Sequence, residues 1–120
     1  YYLDGKLLGV ALADKTSQSF SAIYTFYQVP ENKMSLGTFS VLKQMEYALQ
    51  NRIKYFYLGY YIAENSSLVY KAKFRPNEVY LDQEWRPFRN AEGDFLIPQD
   101  KLQWKNFDQL VKATSYIELT

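Results

Sequence analysis

The densest group of basic side chains in this sequence lies between residues 71 and 75. Lys71, Lys73 and Arg75 place three positive charges within five residues, and no acidic residue lies among them. An arginine guanidinium can hold a carboxylate through two parallel hydrogen bonds, and in a helix Lys71 would lie one turn before Arg75. This group predicts a carboxylate-binding site. The alternative is that both lysines lie on a solvated helix surface while Arg75 anchors the following loop.

The charge distribution agrees with an anionic partner for the middle of the chain. Residues 43 to 75 carry six basic and two acidic side chains, whereas residues 76 to 120 carry five basic and eight acidic ones. The sequence contains no cysteine and no histidine. This excludes a disulfide framework, a thiolate nucleophile, a cysteine zinc site and an imidazole base. We therefore expect no metal site and no cofactor.

An aromatic, apolar run from Tyr55 to Tyr61 supplies hydroxyl groups that can donate to a developing negative charge. The run predicts a central strand, and Gly59 within it predicts a bulge or a close approach to the backbone. Strand alternation would place Tyr57 and Tyr61 on one face and Tyr60 on the other. These tyrosines either border a cleft or pack the strand.

The elements that must position these residues follow from the spacing of apolar side chains. Residues 5–13 and 20–28 predict an antiparallel pair of strands. Apolar residues then recur at helical spacing from Ser35, a plausible N-cap, to about Asn51 or Arg52. Residues 65–67 are expected to cap a second helix.

That second helix would continue to about Lys73, because Pro76 disfavours the α conformation at Arg75. Glu78 to Asp82 predicts another strand. The order strand, strand, helix, strand, helix, strand predicts an α/β (α+β) fold with a mixed sheet flanked by helices.

The chain of 120 residues is expected to form one domain with a single core. Residues 1–88 carry the predicted elements, and residues 89–120, with a modest helix between Leu102 and Val111, are expected to pack on them. No run approaches the ~18 apolar residues of a membrane span, so we expect no membrane partner. Because the chain begins with Tyr1 and not with methionine, we expect it to be a domain of a longer protein.

Several short motifs together resemble one enzyme family. They are, in chain order, Tyr2-Leu3-Asp4-Gly5-Lys6, Ser21-Ala22-Ile23-Tyr24, Ser35-Leu36-Gly37, Tyr57-Leu58-Gly59-Tyr60-Tyr61-Ile62, Tyr70-Lys71 and Phe74-Arg75-Pro76. In order and spacing, over about residues 1–88, they resemble the C-terminal catalytic domain of aminoacyl-tRNA protein transferases. The resemblance implies an acetyltransferase-like (GNAT) fold and a cytoplasmic enzyme. Such an enzyme transfers an amino acid from aminoacyl-tRNA to an N-terminal Asp or Glu of an acceptor protein, which marks that protein for degradation.

The resemblance also implies roles for residues. Gly59 through its backbone, or a hydroxyl of Tyr57, Tyr60 or Tyr61, would stabilise the oxyanion. At the start of the first helix, free N–H groups, the helix dipole and Gly37 could bind an anion, although the same residues could form a plain capped helix start. The resemblance implies that this site holds the acceptor end of the tRNA. The basic segment would hold the acidic N-terminal residue of the acceptor protein. The helix-start residues are Ser35, Leu36, Gly37 and Thr38. The residues expected to bind the acceptor protein are Lys71, Lys73 and Arg75, and Tyr70 is expected to bind substrate beside them. Residues 70–76 look more like the bacterial leucyl-transferring branch than the arginyltransferases, which favours leucine as the donor and leaves arginine possible.

Three departures from the family pattern bear on the function. Gln28 stands where many relatives have an aspartate, Ser67 and Leu68 stand where relatives tend to have Lys-Met, and the family's N-terminal domain with its cysteine motif is absent from this sequence. Two alternatives therefore stay open. One is an acyl-CoA-dependent N-acetyltransferase, which would normally have a more glycine-rich turn at Gly37. The other is a non-catalytic binder of acidic N-termini.

Overall fold

The computed structural model of this chain describes residues 1–28, 35–102 and 114–119. Eight strands, one α-helix and two short 3₁₀ helices follow one another in these segments. Their bounds are β1 Tyr2–Leu3, β2 Lys6–Leu7, β3 Gly9–Lys15, β4 Ser19–Tyr27, α1 Leu36–Gln50, β5 Tyr55–Tyr60, the first 3₁₀ helix Val69–Lys73, β6 Asn77–Leu81, β7 Glu84–Arg89, the second 3₁₀ helix Gln99–Leu102 and β8 Thr114–Glu118.

Six of the strands form one mixed sheet in the order β3-β4-β5-β8-β6-β7. The predicted antiparallel hairpin is confirmed as β3 and β4, and the strand predicted from Glu78 is confirmed as β6. Helix α1 connects β4 to β5, which are parallel and are paired only from Ser19 with Tyr55 to Ser21 with Tyr57. Beyond these residues the two strands separate. The predicted mixed α/β class is confirmed, and the architecture is compatible with an acyltransferase-like fold.

Two groups of buried apolar side chains hold the sheet. The first lies between α1 and the sheet and includes Val41, Phe56, Leu58 and Ile117. The second includes Tyr61, Val79, Leu81, Phe88 and Leu102. At about 25 cal/mol per Å² of apolar surface removed from water, such side chains supply the main stabilising free energy.

The C-terminal part of the chain contributes to the middle of the sheet. Strand β8 pairs with β5 on one side and with β6 on the other. Leu102 is buried in the second core. The division into residues 1–88 and an extension of residues 89–120 stays a prediction. Apart from Leu102 itself, the helix predicted up to Val111 lies outside the described residues.

One predicted helix start is confirmed and the other is wrong. Helix α1 begins at Leu36 with Ser35 at the N-cap position and ends as predicted. The Ser35 side chain makes no capping hydrogen bond, and its carbonyl accepts the Phe39 N–H at 2.9 Å. The second helix is a short 3₁₀ helix that begins at Val69 and not after residues 65–67. The Asn65 side chain accepts the Ser67 N–H at 2.8 Å, and such a local bond competes with helix formation.

Among the helices of the described segments, none combines the length and the apolar character that crossing a membrane requires.

Candidate functional site

A cleft of about 310 Å³ lies where β4 and β5 separate, and it is bordered by α1 and the first 3₁₀ helix. Its described lining residues are Ala22, Ile23, Tyr24, Thr25, Tyr27, Gly37, Val41, Gln44, Leu58, Ser67, Leu68, Tyr70 and Lys71. Another hollow of about 350 Å³ is lined near Pro76, Glu78 and Leu96, and none of the predicted site residues is among its described lining. The cleft therefore is the candidate site.

Lys71 is the one cation among the described residues that line this cleft. It leaves the first 3₁₀ helix and donates from Nζ to the carbonyl oxygen of Tyr60 at 2.9 Å. A Cβ built on Gly59 would lie 3.6 Å from this Nζ and 3.7 Å from the carbonyl oxygen of Ala22. The amine thus occupies the gap between the end of β5 and the adjoining part of β4.

Burial lowers the pKa of Lys71 from its ordinary value of 10.5 to about 8. No Asp or Glu occurs among the described residues that line the cleft, so the ammonium has no carboxylate partner there. Lys71 is half-buried, and a positive charge that has lost part of its hydration is destabilised unless it is paired. The arrangement therefore favours an anionic ligand beside Lys71.

The backbone bulge at Gly59 holds the acceptor of this hydrogen bond. Gly59 has a φ of +79°, which side chains of L-residues rarely adopt, and the pairing of β5 with β8 shifts register between Tyr57 and Gly59. The bulge predicted from the sequence is confirmed. The Tyr60 side chain is exposed, and Tyr60 contributes its carbonyl oxygen to Lys71.

The start of α1 reaches the cleft through Gly37. A Cβ on this glycine would lie 3.6 Å from the Tyr70 hydroxyl. Tyr70 is half-buried. Its pKa is raised mainly by this burial and to a smaller extent by the neighbouring Tyr27. Leu36 is buried, Ser35 is exposed, and Thr38 is not among the lining residues.

A bulky side chain at Gly37 is expected to weaken aminoacyl-tRNA binding without unfolding the protein. In Gly37→Val the branched side chain would press on the Tyr70 ring and narrow the helix start. We expect about tenfold weaker binding of charged tRNA, corresponding to ~1.4 kcal/mol. Filter binding of the full-length variant together with its melting temperature checks this. Unchanged tRNA affinity in the folded variant would contradict it.

The structure brings together only some of the predicted site residues. Gly37, Tyr70 and Lys71 line the cleft, and Gly59 and Tyr60 border it through Lys71. Tyr57 does not reach it, because its ring packs 5.9 Å from Trp85 and 5.6 Å from Tyr116, measured between centroids.

Tyr61 also lies away from the cleft. It is fully buried in the second core, where its hydroxyl donates to Gln99 Oε1 at 3.1 Å. Burial raises its pKa, and the nearby Arg89 opposes that effect. The expectation that Tyr57 and Tyr61 share one face of β5 is wrong, because the bulge at Gly59 inserts one residue and reverses the alternation.

The three bases of residues 71–75 do not form one group. Lys73 is exposed, and Arg75 is exposed with its guanidinium against Gly93, where a Cβ would lie 2.5 Å from Nη1. Arg89 lies beside the same glycine. Neither Lys73 nor Arg75 lines the cleft, and their binding roles stay predictions.

Sequence reasoning missed the polar residues that α1 and β4 bring to the cleft. Gln44 donates from Nε2 to Ser40 Oγ at 2.9 Å, and Ser40 Oγ lies 3.3 Å from Thr25 Oγ1. The available signal was a glutamine on the buried stripe of α1, between Val41 and Ala48. A polar side chain in such a position requires a hydrogen-bond partner.

Comparisons with known proteins agree on one family. The family model described as arginine-tRNA-protein transferase, C terminus, matches residues 1–81. The aspartate/glutamate leucyltransferase of Saccharophagus degradans is 40% identical over 85 residues, which are 71% of this chain and 36% of that protein. The protein of the same name from Acinetobacter baylyi is 39% identical over 96 residues, which are 80% of this chain and 35% of that protein.

The chain spans about a third of the length of these curated relatives. No solved structure matches it. Since the family model covers residues 1–81 of 120, the chain belongs to the arginine-tRNA-protein transferase family, and residues 1–81 match its C-terminal part.

Proposed function

We propose that this chain carries the transfer site of a protein that moves leucine from leucyl-tRNA to an N-terminal Asp or Glu of an acceptor protein. The observation that supports this most is the half-buried Lys71 amine in a cleft without a described acidic residue. It occurs in a chain whose relatives are named aspartate/glutamate leucyltransferases. An acidic acceptor residue would supply the missing carboxylate.

The reaction requires little covalent chemistry from the protein. The α-amino nitrogen of the acceptor attacks the ester carbonyl carbon, a peptide bond forms, and the ester bond to the tRNA ribose breaks. The amine loses a proton and the ribose hydroxyl gains one. An α-amino group titrates near ~8, so a useful fraction is already neutral, and alignment in the cleft supplies much of the acceleration.

Lys71 would bind the side-chain carboxylate of the acceptor, and Gly37 with Tyr70 would lie beside the acceptor end of the tRNA. The roles predicted for the Gly59 backbone, Lys73 and Arg75 remain part of the proposal. We also propose that the complete activity needs the remaining length that the relatives possess, that the fold is acetyltransferase-like, and that the protein acts in the cytoplasm. Marking of the acceptor for degradation would follow from the transfer.

Leucine is expected to be transferred in preference to arginine. Ala22, Val41 and Leu58 give the cleft an apolar wall that suits a leucyl side chain. An arginyl side chain would place a second positive charge beside Lys71. This is unfavourable because no carboxylate occurs among the described residues that line the cleft. We expect at least tenfold faster transfer from leucyl-tRNA.

The test incubates the full-length protein with leucyl-tRNA, arginyl-tRNA or acetyl-CoA and with peptides that differ only in their first residue. Mass spectrometry identifies the added group. Preferential transfer of arginine would contradict the donor assignment. Acetylation would favour the N-acetyltransferase alternative, and binding of acidic peptides without any transfer would favour a non-catalytic binder.

A further inference from the structure

Gln44 carries a buried hydrogen-bond acceptor that no described residue satisfies. Gln44 as a residue is 7% exposed, and its Oε1 has no hydrogen-bond partner in the described part of the chain. Native structures contain few such atoms, because an unpaired buried acceptor destabilises the fold. The atom therefore points to a donor that a ligand supplies.

The Gln44 amide is held in a fixed orientation. Its Nε2 donates to Ser40 Oγ at 2.9 Å. Ser40 Oγ lies 2.9 Å from the Tyr1 hydroxyl and 3.3 Å from Thr25 Oγ1, so the serine is itself held by two further side chains. A ligand donor would meet an acceptor that is already placed, which lowers the entropy cost of binding.

Gln44 borders the cleft that contains Lys71 and also a separate hollow beside β3. Lys71 gives the cleft a positive charge. The other described residues that line the hollow beside β3 are apolar residues, a glycine, Tyr1 and Tyr2. In the cleft, the ammonium of Lys71 attracts an acidic ligand, and a ligand held there brings its own donors close to α1. We therefore place the missing donor in the cleft.

The neutral carboxamide oxygen of Gln44 suits a ligand that donates from an uncharged amine. A carboxylate would favour the protonated form of a bound amine, whereas a neutral carboxamide oxygen accepts a hydrogen bond from an amine without stabilising its charge to the same extent. The positive charge of Lys71 in the same cleft also favours the unprotonated amine. Only this form is nucleophilic.

We infer that Gln44 accepts a hydrogen bond from the α-amino group of the acceptor's first residue, while Lys71 holds the acidic side chain of that residue. The inference rests on the proposed function for the identity of the acceptor. It assigns Gln44 as a residue that recognises and orients the nucleophile, and Ser40 as a positioning residue that acts through Gln44.

The test compares the binding of two peptides to the full-length protein by calorimetry at pH 8. One peptide begins with Asp, and the other begins with a succinyl group, which is aspartyl without its amino group. The wild type is expected to bind the first about tenfold more tightly. Gln44→Met, which keeps the volume and removes the acceptor, is expected to bind both equally, with unchanged affinity for the succinyl peptide and an unchanged or higher melting temperature.

Gln99→Met is the matched control, because Gln99 Oε1 is already satisfied by the Tyr61 hydroxyl. It should keep the tenfold preference although its melting temperature falls. The inference is overturned if the wild type shows no preference, if Gln44→Met keeps the preference, or if Gln44→Met loses affinity for both peptides together with stability. It is also overturned if Gln44→Met raises the KM for leucyl-tRNA and leaves the KM for the acceptor peptide unchanged.

Leucine transfer is measured separately on the same preparations. Absence of transfer by the wild type would contradict the proposed function, and the calorimetric comparison still decides the role of Gln44.

Discussion

Replacement of Lys71 by methionine is expected to reduce leucine transfer to an acidic N-terminus by about 30-fold to several thousandfold. The variant leaves the acceptor carboxylate in the cleft without its cation, and losing one partner of a buried charge pair typically costs roughly 2–5 kcal/mol. The effect should depend on the acceptor. The wild type should prefer Asp over Asn at the N-terminus, and Lys71→Met should abolish that preference. Steady-state transfer to the two peptides measures it.

The same variant is expected to be more stable than the wild type at pH 7. Since the folded pKa of about 8 lies below the ordinary 10.5, the unfolded chain binds more protons between these values. The wild type therefore gains stability as pH rises from about 8 to 10.5, and below pH 8 it bears the full cost of the buried charge. Methionine removes this cost. Because the amine is partly solvated, we expect a gain on the order of 1 kcal/mol at pH 7 that shrinks toward pH 10.

Lys101→Met provides the matched control, because Lys101 is exposed on the second 3₁₀ helix and does not line the cleft. Its transfer rate and melting temperature should remain those of the wild type. Loss of activity with a lower melting temperature in Lys71→Met would show that the lysine is structural. An equal loss on Asp and Asn acceptors would show that it stabilises the reaction in another way and does not recognise the acidic side chain.

The sequence was informative where the pattern was local. The alternation of residues in β3 and β4, the helical spacing in α1 and the glycine in β5 each predicted an element that the structure contains. Strand β7 was missed because it carries Pro87 and several charges, which are tolerated on the edge strand of a sheet. The turn between β6 and β7 also lacks the glycine that usually signals a hairpin, although Asp82 and Gln83 both have positive φ.

The position of β8 could not be read from the sequence for a different reason. Its residues pair with β5 and β6, which precede it by tens of residues, and such long-range pairing leaves no local periodicity to detect. The strand completes the sheet between two elements that the sequence did predict.

The candidate site was predictable in part. Charge identified Lys71, but the assumed α-helix grouped it with Arg75. The structure has a 3₁₀ helix that ends at Lys73, so Arg75 lies beyond it and shares no helix face with Lys71. Lys71 and Lys73 do not share a face either, because they are two residues apart in a helix of three residues per turn. Gln44 was missed because a single glutamine in the apolar stripe of a helix does not indicate a binding site. Its position at the cleft depends on the separation of β4 and β5, which is a tertiary feature.

Substitution of Gly59 is expected to break the hydrogen bond from Lys71 Nζ to the Tyr60 carbonyl oxygen and to displace the amine from its position in the cleft. At a φ of +79° a valine is strained by about 1–2 kcal/mol or more, and relief of that strain would remove the bulge that directs the Tyr60 carbonyl to Lys71. A misplacement of about 1 Å in a catalytic arrangement can cost 10²-fold in rate. We therefore expect transfer by Gly59→Val to fall about 100-fold. The milder Gly59→Ala, whose Cβ would make ordinary contacts with Lys71 Nζ and the Ala22 carbonyl oxygen, should lose less.

Gly5 allows this effect to be separated from backbone strain. It has a φ of +76° in the turn between β1 and β2, and a Cβ there would meet nothing within 4 Å. Gly5→Val should therefore show a comparable fall in melting temperature, whereas transfer per folded molecule should stay close to that of the wild type. Equal losses of transfer in the two variants would mean that strain alone explains the result. Full transfer by folded Gly59→Val would mean that the bulge does not position Lys71 for the reaction.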